Sequence, residues 1–202
     1  PLIKSRALAA NLGLKHLYIK DERQGPTASF KDRQATVAIS ALREMGVDAV
    51  VVASKGNVAI AYSAYGARAG IKVWGFFPSL TPNEKMREAA LYGAEVVKIT
   101  GTYDQTKELA AKFAKRQGIF LDRGIKSVAA IEAMKTMAYE IAEQLGYIFH
   151  DGERWRSPDW FIQSVSGGMG PIGVGQGFRE MVNFGLIDKM PPMGIIQSSG
   201  CA

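Results

Sequence analysis

The sequence predicts an α/β protein made of two parallel-sheet, three-layer αβα domains. Short β-branched runs alternate with helical stretches between Ala49 and Leu121, which is the rhythm of βαβ units. Helices in that stretch are closed by Gly70, Gly93 and Gly118, the residue type that ends a helix at least cost. Beyond Asp122 the rhythm changes to one long amphipathic segment, followed by a second strand–helix–strand set. Parallel neighbours joined through helices make right-handed crossovers the default.

Taken in order, residues 17–20 read as a short strand and 35–45 as a helix. Ala49–Ala53 is a buried-strand signal, and Asn57–Ala69 is a helix of small residues. Strands at 72–77, 95–100 and 119–121 alternate with helices at 82–92 and 104–117, the first of these with Pro82 near its first turn. The segment 127–145 is one helix, because Ile131, Met134, Ala138, Ile141 and Leu145 recur at three- and four-residue spacing. Met134 and Met137 are expected as core filler. Gly146 is expected to end that helix, and 147–158 to be a polar surface loop. A strand at 160–165, a helix at 171–184 and a strand at 194–197 complete the pattern. No helix follows the last strand, so the chain is expected to stop within an α/β pattern rather than at a natural end. The expected division is a smaller α/β domain at 46–122 and a larger, incomplete and discontinuous domain from 1–45 and 123–202.

Composition narrows the function classes. Of 202 residues, 47% are apolar and 22% charged, the range of soluble globular domains. The net charge of +6 is spread along the chain without a basic stripe carrying interleaved aromatics, which argues against nucleic acid and suits a small anionic ligand. No apolar run is long enough to span a membrane, and Pro1-Leu2-Ile3-Lys4 does not read as a leader. The lone cysteine, Cys201, excludes an internal disulfide and fits a reducing cytoplasm. His16 and His150 lack metal-ligand spacing, so no metal site is expected.

Three segments carry chemistry. Ser29-Phe30-Lys31-Asp32-Arg33 puts a lysine where a strand-like stretch gives way to a helix. Such a lysine is either a solvated surface charge or a covalent anchor for an aldehyde cofactor. Ser166-Gly167-Gly168-Met169-Gly170-Pro171 lies between a strand and a helix, where glycines let backbone N–H groups converge on an anion, usually phosphate. The alternative is a tight turn; the run is neither a Walker A loop nor a GxGxxG fingerprint. Ser54-Lys55-Gly56-Asn57 follows a strand and opens a helix, at the strand end where ligands collect in parallel sheets. Asn57 either caps that helix or hydrogen-bonds a ligand hydroxyl, and the turn's backbone can hold a carboxylate. A lysine, an asparagine loop and a glycine loop are together what pyridoxal 5'-phosphate needs.

On these residues the chain resembles the fold-type II, tryptophan synthase β-like pyridoxal-phosphate enzymes, and among them the threonine synthases. The matching stretches are Pro1-Leu2-Ile3, Leu17-Tyr18-Ile19-Lys20-Asp21-Glu22, the run 25–33, Ala53-Ser54-Lys55-Gly56-Asn57, and 64–71, 132–146 and 164–180. The resemblance implies that Lys31 is the catalytic Schiff-base lysine. It implies a cofactor set of Lys31, Phe30, Asn57, Gly167, Gly168, Met169 and Gly170, with Asn57 on the ring hydroxyl and the glycine-loop amides on the phosphate. Ser54, Lys55, Gly56 and Asn57 would receive the substrate. The implied reaction turns O-phosphohomoserine and water into threonine and phosphate, in a homodimer acting on a small amino-acid substrate. A β-replacement enzyme or a serine/threonine dehydratase is the alternative on the same cofactor, and a non-catalytic ligand-binding relative the alternative of another class.

The departures fall on the substrate side. Lys55 stands where the family usually has a small hydroxyl residue, and Val58 where threonine is common. The stretch 126–133 lacks the Asn-Pro and Glu-Gly features usual before the long helix. Lys55 either attracts a substrate phosphate or another anion, or is a surface or ion-paired lysine. The resemblance also implies truncation at both ends, with a segment before Pro1 and a longer part after Ala202 that carries the residue contacting the pyridine nitrogen.

Overall fold

The computed structural model describes residues 1–150 and 152–199, so Cys201 lies outside the described residues. By its contacts the chain divides into two compact units, 25–133 and the pair of segments 1–24 and 134–202.

The unit 25–133 is built on a parallel sheet. Its strands are β3 (Ala49–Ala53), β4 (Lys72–Pro78), β5 (Glu95–Ile99) and β6 (Phe120–Leu121), in the spatial order β5-β4-β3-β6. Register runs Val51 against Trp74, Phe76 against Val97, and Val51 against Leu121. Helix α3 (Asn57–Ala69) packs against both α2 (Lys31–Glu44) and α4 (Asn83–Leu91), and α5 (Tyr103–Gln117) lies with the opposite set of strand side chains.

Alternation along the strands explains the layering. Val50, Val52, Val73 and Phe77 join Ala35, Ile39, Leu42, Ile60, Tyr62 and Met86 in one core. Val51 and Phe76 point the other way and meet Ala110 and Ala114 of α5. Each Val, Leu, Ile, Phe or Met among these contributes roughly 1.5–3 kcal/mol on leaving water.

The element ends have local causes. Gly70 and Gly118 close α3 and α5 in the left-handed region, at φ 71° and 66°. Thr102 and Gln105 open α5 with a reciprocal capping box, the Gln105 amide donating to Thr102 Oγ1 at 3.2 Å and the Thr102 amide to Gln105 Oε1 at 2.8 Å. α2 begins at Lys31 itself, earlier than the expected residue 35, because its apolar stripe starts only at Ala35.

In the unit of 1–24 and 134–202 the strand expected at 17–20 is present, and a strand and a helix before it were not expected from the sequence. β1 (Leu2–Lys4) pairs antiparallel with β2 (Tyr18–Lys20), and α1 (Arg6–Asn11) lies between them in sequence. β7 (Phe161–Ser164) and β8 (Met193–Ile196) form its parallel pair, joined by α7 (Met169–Asn183).

The long helix α6 (Val128–His150) does not stop at Gly146 as expected. Gly146 serves a close approach instead: a Cβ there would come within 2.5 Å of the Arg154 carbonyl oxygen. The following backbone folds back on the helix, with the Arg156 amide donating to the Ala142 carbonyl at 3.0 Å. Met134 and Met137 are buried, as core filler should be. α7 packs against α6 through Gly177, where a Cβ would meet the Lys135 carbonyl oxygen at 2.9 Å. Lys135 and Tyr139 of α6 both reach the Glu180 carboxylate of α7.

No helix among the described residues is long and apolar enough to cross a membrane.

Candidate active site

Lys31 is seated by the residues on either side of it. Asp32 is buried and gathers the preceding loop: its Oδ1 accepts from Thr27 Oγ1 at 2.6 Å and its Oδ2 from the Thr27 amide at 3.1 Å. Gly25 lies so close that a Cβ there would meet Asp32 Oδ2 at 2.2 Å. Ala28 is held at φ 50°, in the left-handed region that a non-glycine residue enters at a cost. Ser29 Oγ accepts from the Lys31 amide at 3.3 Å, and the Lys31 ammonium sits 4.4 Å from the centroid of the Phe30 ring. The half-buried ammonium is desolvated, which holds it below the usual lysine range; the Asp122 carboxylate opposes part of that shift.

Asp122 follows β6 directly, its amide donating to the Val51 carbonyl at 3.0 Å. The Tyr62 phenol donates to Asp122 Oδ2, and the Gly124 amide donates to Oδ1 at 2.6 Å. Gln34 Nε2 donates in turn to the Tyr62 oxygen at 3.3 Å. Tyr62 and Gln34 are fully buried. Burial pushes the Asp122 carboxyl above the ordinary aspartate range, against the Tyr62 and Gly124 hydrogen bonds and the Lys31 charge. Burial, then the neighbouring Asp122 charge, keeps the Tyr62 phenol protonated well above its usual range.

The loop after β3 is shaped by Ser54, which is buried and whose Oγ accepts from the amides of Gly56 at 3.0 Å and Ala59 at 3.3 Å. Gly56 takes φ 140°, and the Lys85 side chain fills the space a Cβ would need. Asn57 is the first residue of α3 and not its cap; its Oδ1 accepts from Lys85 Nζ at 2.7 Å. Lys55 is exposed, with its ammonium 5.0 Å from the Tyr103 ring centroid, and Lys107 approaches the same ring at 4.9 Å. Lysines 55, 85 and 107 thus border the carboxyl end of this sheet, a setting that favours an anion.

In the other unit, the glycine loop joins β7 to α7. Gly168 sits at φ 79° and precedes the helix, which starts at Met169, two residues before the expected Pro171. The amides of the first helical turn have no carbonyl partner within the helix, so they are donors for an anion. A Cβ at Gly167 would meet nothing within 4 Å, so that side of the loop is open. Gln163 Oε1 on the neighbouring strand is buried without a partner. The Met169 side chain is buried, which leaves its backbone amide as the usable group.

The pyridoxal-phosphate dependent enzyme family matches residues 1–202. The chain belongs to this family. The threonine synthase of Methanocaldococcus jannaschii is 35% identical over 201 residues, covering 99% of this chain and 47% of the relative. Among solved structures, a pyridoxal 5'-phosphate-dependent aspartate racemase superposes with a TM-score of 0.83 at 27% identity, covering 99% of this chain and 57% of that one. A threonine deaminase from T.th. superposes with a TM-score of 0.79 at 27% identity, covering 93% of this chain and 57% of that one. The α/β architecture with its parallel sheet is that of the fold-type II enzymes. The chain spans about half the length of the curated relatives it matches.

The residues present fit the family's cofactor, pyridoxal 5'-phosphate. A half-buried amine held below the usual lysine range suits an aldehyde, and a glycine-led helix N-terminus suits a phosphate. The unit 25–133 holds Lys31, Phe30, Ser54, Lys55, Gly56 and Asn57; the other holds Gly167, Gly168, Met169 and Gly170. Sequence reasoning missed Asp122, Tyr62, Gln34 and Lys85. The position of Asp122 just after a strand of the parallel sheet is a usable signal in the sequence.

Proposed function

We propose that the protein is a pyridoxal-phosphate-dependent lyase of threonine synthase type, converting O-phosphohomoserine and water to threonine and phosphate. The observation that carries this is Lys31, an amine desolvated at the start of α2 in a chain similar to threonine synthase along nearly its whole length. When bound, pyridoxal phosphate supplies an electron sink for negative charge beside the substrate nitrogen. Lys31 attaches the cofactor and afterwards moves protons as base and acid, as its desolvated amine allows. The amides of Gly167, Gly168, Met169 and Gly170 hold the phosphate, and Phe30 and Asn57 complete the cofactor set. The turn of Ser54, Lys55, Gly56 and Asn57 receives the substrate carboxylate. Lys55, beside Lys107 on Tyr103, supplies positive charge for the substrate's anionic end.

The same proposal makes the complete protein a cytoplasmic homodimer in threonine biosynthesis, with domain divisions at residues 46 and 122. A dehydratase acting on serine or threonine is the second reading, favoured by the likeness to threonine deaminase. Assaying the complete protein separates them. Phosphate release from O-phosphohomoserine with formation of threonine supports the first reading; ammonia and keto-acid release from threonine or serine, without phosphate release, supports the second.

A further inference from the structure

We propose that Lys85 is a positioning residue that fixes the carboxamide of Asn57, so that the Nδ2 hydrogens are presented to the ring hydroxyl of the cofactor. This rests on the reading of Asn57 as the ring-hydroxyl contact and adds the group that aims it.

Topology brings the two residues together within the unit 25–133. β3 and β4 are parallel neighbours, so their carboxyl ends lie side by side. The Ser54–Asn57 turn leaves β3, and the chain leaving β4 enters α4, which packs against α3. Asn57 is the first residue of α3 and Lys85 the third of α4.

The contact orients the amide one way round. Lys85 Nζ donates to Asn57 Oδ1 at 2.7 Å. An ammonium has donors and no acceptor, so it takes the oxygen of a carboxamide and never its nitrogen. Asn57 makes no cap bond for α3, so its Nδ2 hydrogens are left for a ligand. A charge-assisted bond at Oδ1 also polarises the amide and strengthens its N–H groups as donors.

Lys85 is itself held. Its stem crosses Gly56, where a Cβ would meet Lys85 Cδ at 2.2 Å and Nζ at 3.2 Å. Gly56 also takes φ 140°, so glycine there serves both the turn and the passage of the lysine. The first turn of α4 sets this cation against the positive end of the helix dipole, so helix stability does not account for its place. Its bond to Asn57 does.

The test uses the complete protein and 4'-deoxypyridoxine 5'-phosphate. This analogue keeps the ring hydroxyl and the phosphate but lacks the aldehyde, so its binding does not depend on attachment at Lys31. Lys85→Met is expected to weaken binding about 3- to 10-fold, the range of one hydrogen bond. Lys85→Arg, whose head is also donor-only, is expected to stay within about 2-fold of the wild type. In Asn57→Ala no amide is left to aim, so adding Lys85→Met is expected to change nothing further. A second readout needs no ligand. With asparagine 15N-labelled at Nδ2, the Asn57 side-chain amide is expected to be ordered in the wild type and in Lys85→Arg, and to fall below an order parameter of about 0.6 in Lys85→Met. An amide equally ordered in Lys85→Met, or a Lys85→Met effect that persists in full on Asn57→Ala, overturns the proposal while the Asn57 reading stands. Asn57→Ala binding the analogue as tightly as the wild type shows instead that the Asn57 reading is wrong, and the proposal falls with it.

Discussion

The Tyr62 phenol donates a hydrogen bond to Oδ2 of Asp122 across 60 residues of sequence, tying the middle of α3 to the loop after β6. The bond joins a fully buried side chain to a carboxylate, the stronger class of protein hydrogen bond. Tyr62→Phe keeps the ring and removes the donor, and also leaves Gln34 Nε2 without its acceptor. We expect a loss of about 1.5–3 kcal/mol in urea unfolding. A loss below about 0.5 kcal/mol, the scale of an ordinary surface change, would mean the bond is not formed in solution.

Lys31 predicts a stability dependence on pH with a definite sign. Its folded-state proton affinity is lowered, first by burial. The unfolded chain therefore binds more protons in the window between the folded value and the ordinary lysine value of 10.5. Stability rises with pH across that window, and the cost of the buried charge is fully present below it. Lys31→Met should be more stable than the wild type at neutral pH, by about 0.5–2 kcal/mol, with the gain shrinking as pH rises through the window. Denaturant midpoints between neutral and alkaline pH check this; a gain that grows with pH contradicts it.

Much of the unit 25–133 was legible in the sequence because its signals are local. Val50, Val51 and Val52 alternate between two cores, and Gly70 and Gly118 take the left-handed conformation that ends their helices. Gly146 misled because a glycine that admits a neighbouring backbone looks the same in sequence as one that stops a helix. The start of α2 was hidden because the first turn of that helix carries Lys31, Asp32 and Arg33 before its apolar stripe begins. Lys31 and the glycine loop could be singled out from residue type and position between elements. The pairs Tyr62–Asp122 and Asn57–Lys85 could not, because each joins side chains brought together only by the order of the strands and helices.

Asp32 predicts that the loop before Lys31 depends on one carboxylate. Replacing it by alanine removes both bonds to Thr27, the residue before Ala28 with its left-handed backbone. Asp32→Ala should cost about 1–3 kcal/mol and speed amide hydrogen exchange at residues 25–30. Unchanged exchange there would show that the loop is held by something else.

Gly177 sets a contest between helix propensity and space. Alanine is favoured over glycine in a helix interior by about 1 kcal/mol. The added Cβ would lie 2.9 Å from the Lys135 carbonyl oxygen and 3.0 Å from Ala138 Cβ. Overpacking against backbone costs about 1–3 kcal/mol, so Gly177→Ala should lower the melting temperature. A rise would mean that α6 and α7 are not packed this closely.

The central claim is that Lys31 carries the cofactor. Borohydride reduction of the complete protein with pyridoxal 5'-phosphate, followed by peptide mapping, tests it most directly. The predicted result is a pyridoxyl group on Lys31, lost in Lys31→Ala. A group fixed on another lysine, or retained in Lys31→Ala, would contradict the account.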